Sequence, residues 1–152
     1  MLGFVLRDVM RTAHIIAGGA WLGGSIVYAL VLVPAFRLGG AAPALSAQVG
    51  ALFRRLVNLC IGVLLVSGVY LVFDRLTSTA VGAAYVVTLA IKIAVALAMM
   101  ALAVAQAQEA LRPAKRRGRL WRIAPLGILW LGVVTFLLGA TLTGLYEVSV
   151  AR

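Results

Sequence analysis

The chain has 152 residues, of which 64% are hydrophobic and 12% are charged. Soluble domains are typically about 45–50% apolar and about 25% charged, so these figures exclude an ordinary water-soluble domain of this size. Disorder is excluded too, because disordered segments are poor in hydrophobic residues and rich in charge. The composition is typical of a protein whose main solvent is lipid.

The formal net charge is +10, from 14 Lys and Arg against 4 Asp and Glu. In a soluble protein, such a basic balance would suggest nucleic acid. Here the cations mostly lie in short stretches between long apolar runs, which is typical of loops held against anionic lipid headgroups. The pattern predicts the lipid bilayer as a partner and argues against nucleic acid. The single cysteine, Cys60, lies in an apolar run and is interpreted as a small buried hydrophobe.

Four apolar segments follow one another along the chain, each close to the roughly 20 residues that a helix needs to cross the hydrocarbon core. They cover residues 12–36, 56–73, 82–105 and 124–145. Because lipid offers no partner for open backbone groups, each segment is expected to be helical. The sequence therefore predicts an all-α fold, an integral membrane four-helix transmembrane bundle, with residues 1–152 as a single domain.

The connections 37–55 and 106–123 are expected to be cytoplasmic loops. Together they hold nine lysines and arginines, whereas the termini and the connection between the second and third spans hold four. Because positively charged loops stay in the cytoplasm, the bias places both termini outside. We therefore expect a multi-pass protein of a bacterial-type inner (plasma) membrane.

Both connections carry further local signals. Pro43 suits the first turn of a helix, so the second helix is expected to start near Ala44 and to extend out of the membrane. Pro113 and Gly118 are expected to interrupt the helices, and Trp121 to anchor the chain at the membrane interface.

His14 is the single histidine and lies near the outer end of the first span. Ionisable residues inside a membrane are candidates for function. Gly18 and Trp21 follow at positions i+4 and i+7, so the three residues share one helix face. Gly19 and Gly23 have the GxxxG spacing that allows close approach of backbones. This face suits either a flat macrocycle or a packed partner helix, and His14 is either a ligand or a polar residue at the helix entry.

Lys92 lies about ten residues into the third span. An ammonium at that depth costs about 2.5–3.5 kcal/mol on insertion scales, so it is expected to face the bundle interior and to find a partner. In the deduced orientation, His14 and Lys92 both lie in the outer half and are predicted to converge on one site. Asp74 and Arg75, at the outer end of the second span, would complete a structural polar cluster.

Met10 and His14 are spaced i, i+4 on the first helix. A soft thioether together with an imidazole suits Cu(I), so these two residues are candidate metal ligands. The alternative interpretation is that Met10 packs in an apolar surface, as most methionines in helices do.

The stretch from Arg11 to Gly24, RTAHIIAGGAWLGG, resembles the opening of the CopD-type copper-resistance membrane domain. The stretches that begin at Phe53 (FRRL), Val66 (VSGVY) and Tyr85 (YVVTLAIKI) resemble the helices that follow in that domain, so the resemblance covers about residues 11 to 110. The chain is similar to the HemJ four-helix membrane family at the same His, Trp-x-Gly and Lys positions. That similarity implies a b-type haem near His14 and Lys92.

Three functions remain open at this stage. The first is a CopD-like protein that handles copper or b-type haem at an outer-half site of His14 and Lys92, with Gly18 and Trp21 beside it. The second is a HemJ-like protoporphyrinogen oxidase. The third is a non-catalytic accessory subunit of a respiratory or photosynthetic membrane complex, or a homo-oligomer, packed through its small-residue faces. The absence of HExxH, GxSxG and Walker A patterns from the sequence favours a binding role over catalysis.

Overall fold

A computed structural model describes residues 2–40, 42–77, 82–110 and 119–150. Nearly all of these residues are helical, and none of them lies in a β-strand. The all-α prediction is therefore confirmed over the described part of the chain. The elements in order are α1 (Leu2–Val27), a π-helix (Tyr28–Leu32), α2 (Val33–Leu38), α3 (Pro43–Leu76), α4 (Ala83–Ala110) and α5 (Arg119–Val150).

Four helical stretches within the described residues are long and apolar enough to cross a membrane. They are Gly3–Phe36, Pro43–Leu76, Ala83–Gln108 and Pro125–Gly144, and each overlaps one predicted span. The 34 residues of α3 extend over about 51 Å, whereas the hydrocarbon core is about 30 Å thick. The longer helices therefore have residues to spare beyond the length that a crossing needs.

The segment 37–55 is mostly helical rather than a loop, because α3 begins at Pro43. The start lies one residue before the predicted position, and proline is favoured there because its missing N–H has no partner in a first helical turn. The short turn before α3 includes Gly40, whose φ of +59° lies in the left-handed region that glycine adopts without a steric penalty.

The third connection is also narrower than predicted. The helix α4 continues to Ala110 and α5 begins at Arg119, so both ends of the range 106–123 are helical. Trp121 lies in the first turn of α5. The predicted helix breakers Pro113 and Gly118 lie outside the described residues.

A π-helix, Tyr28–Leu32, interrupts the first apolar stretch, where a regular α-helix was expected. The backbone N–H of Val33 bonds to the carbonyl of Tyr28, five residues earlier. Pro34 follows directly, and proline has no N–H and clashes with the preceding turn of a regular α-helix. The wider turn is the local adjustment that lets the helix continue through this proline.

The chain divides into two compact units, Met1–Val72 and Phe73–Arg152. In the first unit, α1 runs antiparallel to α3, since His14 lies against Ser67 whereas Tyr28 stacks on Phe53. The two rings of that stack are 4.5 Å apart and nearly parallel. The buried residues of this unit include Ala17, Trp21, Cys60 and Ser67. Cys60 is thus packed as a small hydrophobe, and its thiol is free.

In the second unit, α4 packs closely along α5. A Cβ built at Gly127 would lie 3.1 Å from Cδ2 of Leu102, so the glycine permits a close approach of the two helices. The buried apolar residues here are Met99, Ile128 and Leu142. The prediction that residues 1–152 form one domain stays a prediction.

Candidate functional site

The imidazole of His14 is held by a contact with α3. Its Nδ1 atom lies 2.8 Å from Oγ of Ser67, which is hydrogen-bond distance. His14 itself is partly exposed, whereas Ser67 has no exposed surface at all. One edge of the ring is therefore fixed to a fully buried hydroxyl between the two helices.

The surroundings of Ser67 complete this arrangement. Its hydroxyl donates to the carbonyl of Val63, one turn earlier in α3, over an O···O distance of 2.6 Å. A Cβ built at Gly68 would lie 3.5 Å from Cε1 of His14, so the ring rests beside the backbone of α3. The helix α3 thus presents a polar hydroxyl and a bare stretch of backbone side by side, and the imidazole contacts both.

Two residues on the face of α1 that follows His14 are close-packed or buried. A Cβ at Gly18 would lie 3.9 Å from Cδ2 of Leu64, an ordinary packing distance. Trp21 is 3% exposed, so the indole is a core side chain. Gly18 therefore lies against α3, and Trp21 one turn further along α1 is buried.

A shallow cleft of about 410 Å³ lies beside this contact. Met10 lines it, one turn before His14, together with residues of α3 that include Ser67. Its surface is almost entirely apolar, which fits a hydrophobic molecule or a lipid chain better than a hydrated ion. The further lining residues are Ala13, Asn58, Leu59, Gly62, Val63 and Val66.

The donor set around His14 is small. Among the described residues, no three His, Cys, Asp or Glu side chains lie close enough together to hold a metal ion. A metal at His14 would therefore depend on one imidazole, with the thioether of Met10 as the neighbouring soft donor on the same helix.

Lys92 lies in the second unit, on α4, and is partly exposed. Its Nζ and Cε atoms would lie 3.2 Å and 3.7 Å from a Cβ built at Gly139 of α5. The glycine therefore leaves the space that the end of the lysine side chain occupies. His14 and Lys92 belong to different units, and their convergence on one site stays a prediction.

Asp74 and Arg75 lie at the end of α3, and both are partly exposed. Each takes part in an interaction with other groups of the chain. Arg75 is in the last turn of the helix, where a cation is favourable beside the partial negative charge of the helix terminus. Thr77 follows and donates its hydroxyl to the carbonyls of Phe73 and Asp74, both at 3.0 Å.

Sequence reasoning missed three residues that the structure brings to these contacts: Ser67, Gly68 and Gly139. The signal for Ser67 was present, since it is a hydroxyl residue in the middle of a long apolar run. Its partner was not readable, because the register between α1 and α3 is needed to place it opposite His14. Gly139 accommodates Lys92 within the second unit, and no local pattern separates it from the other glycines of the apolar runs.

Comparison with known protein families, with curated proteins and with solved structures finds none that matches this chain.

Proposed function

We propose that the chain is a multi-pass protein of the plasma membrane with both termini outside. Four helices of sufficient length and apolar character support insertion. Many large apolar side chains on them are exposed, which is favourable in lipid and unfavourable in water. Examples are Phe4 on α1, Phe73 on α3, and Trp130 and Phe136 on α5.

Within this membrane protein, we propose that His14 binds copper or the iron of a b-type haem. The observation that carries the proposal is the hydrogen bond between Nδ1 of His14 and the fully buried Ser67. Histidines that ligate metals almost always have their other ring nitrogen bonded to a neighbouring group, which orients the ring. The resemblance to the CopD-type and HemJ families supports the same two cofactor classes.

The residues present fit both metals in different ways. Haem iron is held by a single protein histidine in several protein classes, so His14 alone would suffice. Copper(I) favours soft donors and would use the thioether of Met10 with the imidazole of His14. The two cases differ in whether Met10 is needed.

Purification in mild detergent, followed by a visible spectrum and by measurement of bound copper and iron, tests the proposal. For haem, we expect a Soret band that is lost in His14→Ala and retained in Met10→Leu. For copper, we expect a stoichiometric metal content that falls in both variants. Met100→Leu, a change on α4 in the second unit, is the matched control and is expected to leave the metal content unchanged. A folded protein that binds neither metal would contradict the proposal.

A second candidate, an accessory subunit of a membrane complex, is favoured by one observation. Gly19 and Gly23 have GxxxG spacing, both are exposed, and a Cβ at either would meet no heavy atom of the described residues within 4 Å. Such a face suits a closely packed helix of another subunit. Gly19→Ile should then reduce the size of the complex in native electrophoresis of solubilised membranes. Gly144→Ile, at another exposed glycine, is the control.

A further inference from the structure

We propose that Ser67 is a positioning residue that holds neutral His14 in one tautomer, with the proton on Nδ1 and the lone pair on Nε2. The use of this tautomer to present Nε2 to a metal rests on the proposed function. The tautomer itself does not, because the proton on Nδ1 follows from the two hydrogen bonds of Ser67.

The single proton on Oγ of Ser67 decides between the two tautomers of His14. Oγ of Ser67 lies 2.6 Å from the carbonyl oxygen of Val63 and 2.8 Å from Nδ1 of His14. A hydroxyl has one proton to donate, and a carbonyl oxygen only accepts. The proton of Ser67 must therefore point to Val63, and the contact with His14 must be supplied by a proton on Nδ1.

The opposite assignment is unfavourable. If Ser67 donated to Nδ1, the two oxygens of Ser67 and Val63 would face each other at 2.6 Å with no proton between them. Ser67 has no exposed surface, so water would not screen that repulsion. The helix carbonyl thus selects the direction of the serine hydroxyl, and the hydroxyl selects the tautomer of the histidine.

The hydrogen bonds from His14 to Ser67 and from Ser67 to Val63 also exclude one role for His14. It ends at an amide carbonyl, which takes up no proton under ordinary conditions, so the side of the ring that faces Ser67 is not a proton relay. The serine anchors the imidazole at Nδ1, and Nε2 is the ring nitrogen that remains for interactions beyond Ser67. Anchoring of this kind keeps a ligand nitrogen pointed in one direction through thermal motion of the two helices.

Nitrogen NMR of the metal-free protein tests the tautomer directly. His14 is the single histidine of the chain, so histidine labelled with ¹⁵N in the ring reports one imidazole and nothing else. At a pH where the ring is neutral, we expect a protonated, pyrrole-type resonance for Nδ1 and an unprotonated, pyridine-type resonance for Nε2. The reverse assignment in the wild-type protein would overturn the proposal, whether or not any variant folds.

Variants at two serines isolate the cause. Ser67→Ala is expected to shift the population toward the Nε2–H tautomer, since the acceptor for Nδ1 is removed. Ser46→Ala removes a hydroxyl that donates to a carbonyl of α3 at 3.0 Å, far along the helix from His14, and should leave the tautomer unchanged. An unchanged tautomer in Ser67→Ala would overturn the proposal.

The outcomes separate this inference from the proposed function. A protein with the Nδ1–H tautomer that binds neither copper nor haem would retain the positioning role and reject the metal. A protein that binds metal through His14 but has the Nε2–H tautomer when metal-free would retain the metal site and reject the positioning role of Ser67.

Discussion

At the residue scale, this chain places a few polar side chains in long apolar helices, and each is accommodated in a different way. Ser67 bonds both to its own helix and to His14. Lys92 instead occupies the space beside Gly139. A hydroxyl that bonds to its own helix backbone adds little to the free energy of insertion into lipid. An ammonium raises that free energy strongly, so lysines in spans are typically functional or paired.

Gly139→Ala is expected to be coupled energetically to Lys92. Alanine gains about 1 kcal/mol of helix propensity over glycine. The new Cβ would lie 3.2 Å from Nζ of Lys92, so in the wild-type background part of this gain is offset by displacement of the ammonium. In a Lys92→Met background the offset should disappear. Free energies of unfolding in mixed micelles should then give a coupling of at least about 0.5 kcal/mol.

The matched control for this cycle is Gly144→Ala on the same helix. A Cβ there would meet no heavy atom of the described residues within 4 Å. Its effect should be the same with lysine or methionine at position 92. Equal effects of Gly139→Ala in the two backgrounds would show that the lysine does not occupy this space.

At the element scale, the first apolar stretch differs from the other three because it carries a π-helix at Tyr28–Leu32. Pro34 accounts for this locally, and the same segment places Tyr28 in a parallel stack on Phe53 of α3. The wider turn of the π-helix therefore lies at the contact with Phe53, in the part of α3 that precedes the predicted span 56–73. Proline thus affects both the local backbone and the contact between helices.

Pro34→Ala should convert this segment to a regular α-helix. Restoring the missing N–H returns a hydrogen bond, and the removal of a helix-interior proline is worth up to about 3 kcal/mol. Hydrogen exchange of the amides from Leu30 to Phe36 should become slower, while amides at the centre of α3 serve as the internal reference. Unchanged exchange would mean that the π-helix has another cause.

At the scale of the whole molecule, helix length and charge distribution support the membrane insertion and the orientation that we propose. The four candidate spans are each longer than, or close to, the length that a crossing needs. The positive charge is concentrated in two of the connections, which sets the orientation that we propose.

The orientation is testable with single cysteines in a Cys60→Ala background, since Cys60 is the one native cysteine. Gly3→Cys, near the amino terminus, should react with a membrane-impermeant maleimide added to intact cells. Gln48→Cys, near the start of α3, should react only after permeabilisation. Both positions are exposed, so both should react in permeabilised cells. The reverse pattern would place the termini in the cytoplasm.

Much of the fold was predictable because composition and apolar run length act locally. An apolar run of sufficient length must be helical in lipid whatever it packs against, so the four helices and the all-α class follow without tertiary information. The start of α3 at Pro43 was predictable within one residue, because proline is favoured in a first helical turn. The helix ends at the third connection were less predictable: α4 continues to Ala110 and α5 already begins at Arg119.

The sequence by itself determined the all-α fold class, the number of candidate spans and the polar residues that stand out in them, among them His14 and Lys92. Only the tertiary structure decided what those residues contact. His14 and Ser67 are 53 positions apart, and the register of α1 on α3 depends on how their side chains interlock rather than on any local preference. The position of Gly139 beside Lys92 is not readable from the sequence for the same reason. A glycine that leaves space for a lysine side chain has the same local sequence pattern as a glycine at an ordinary helix contact.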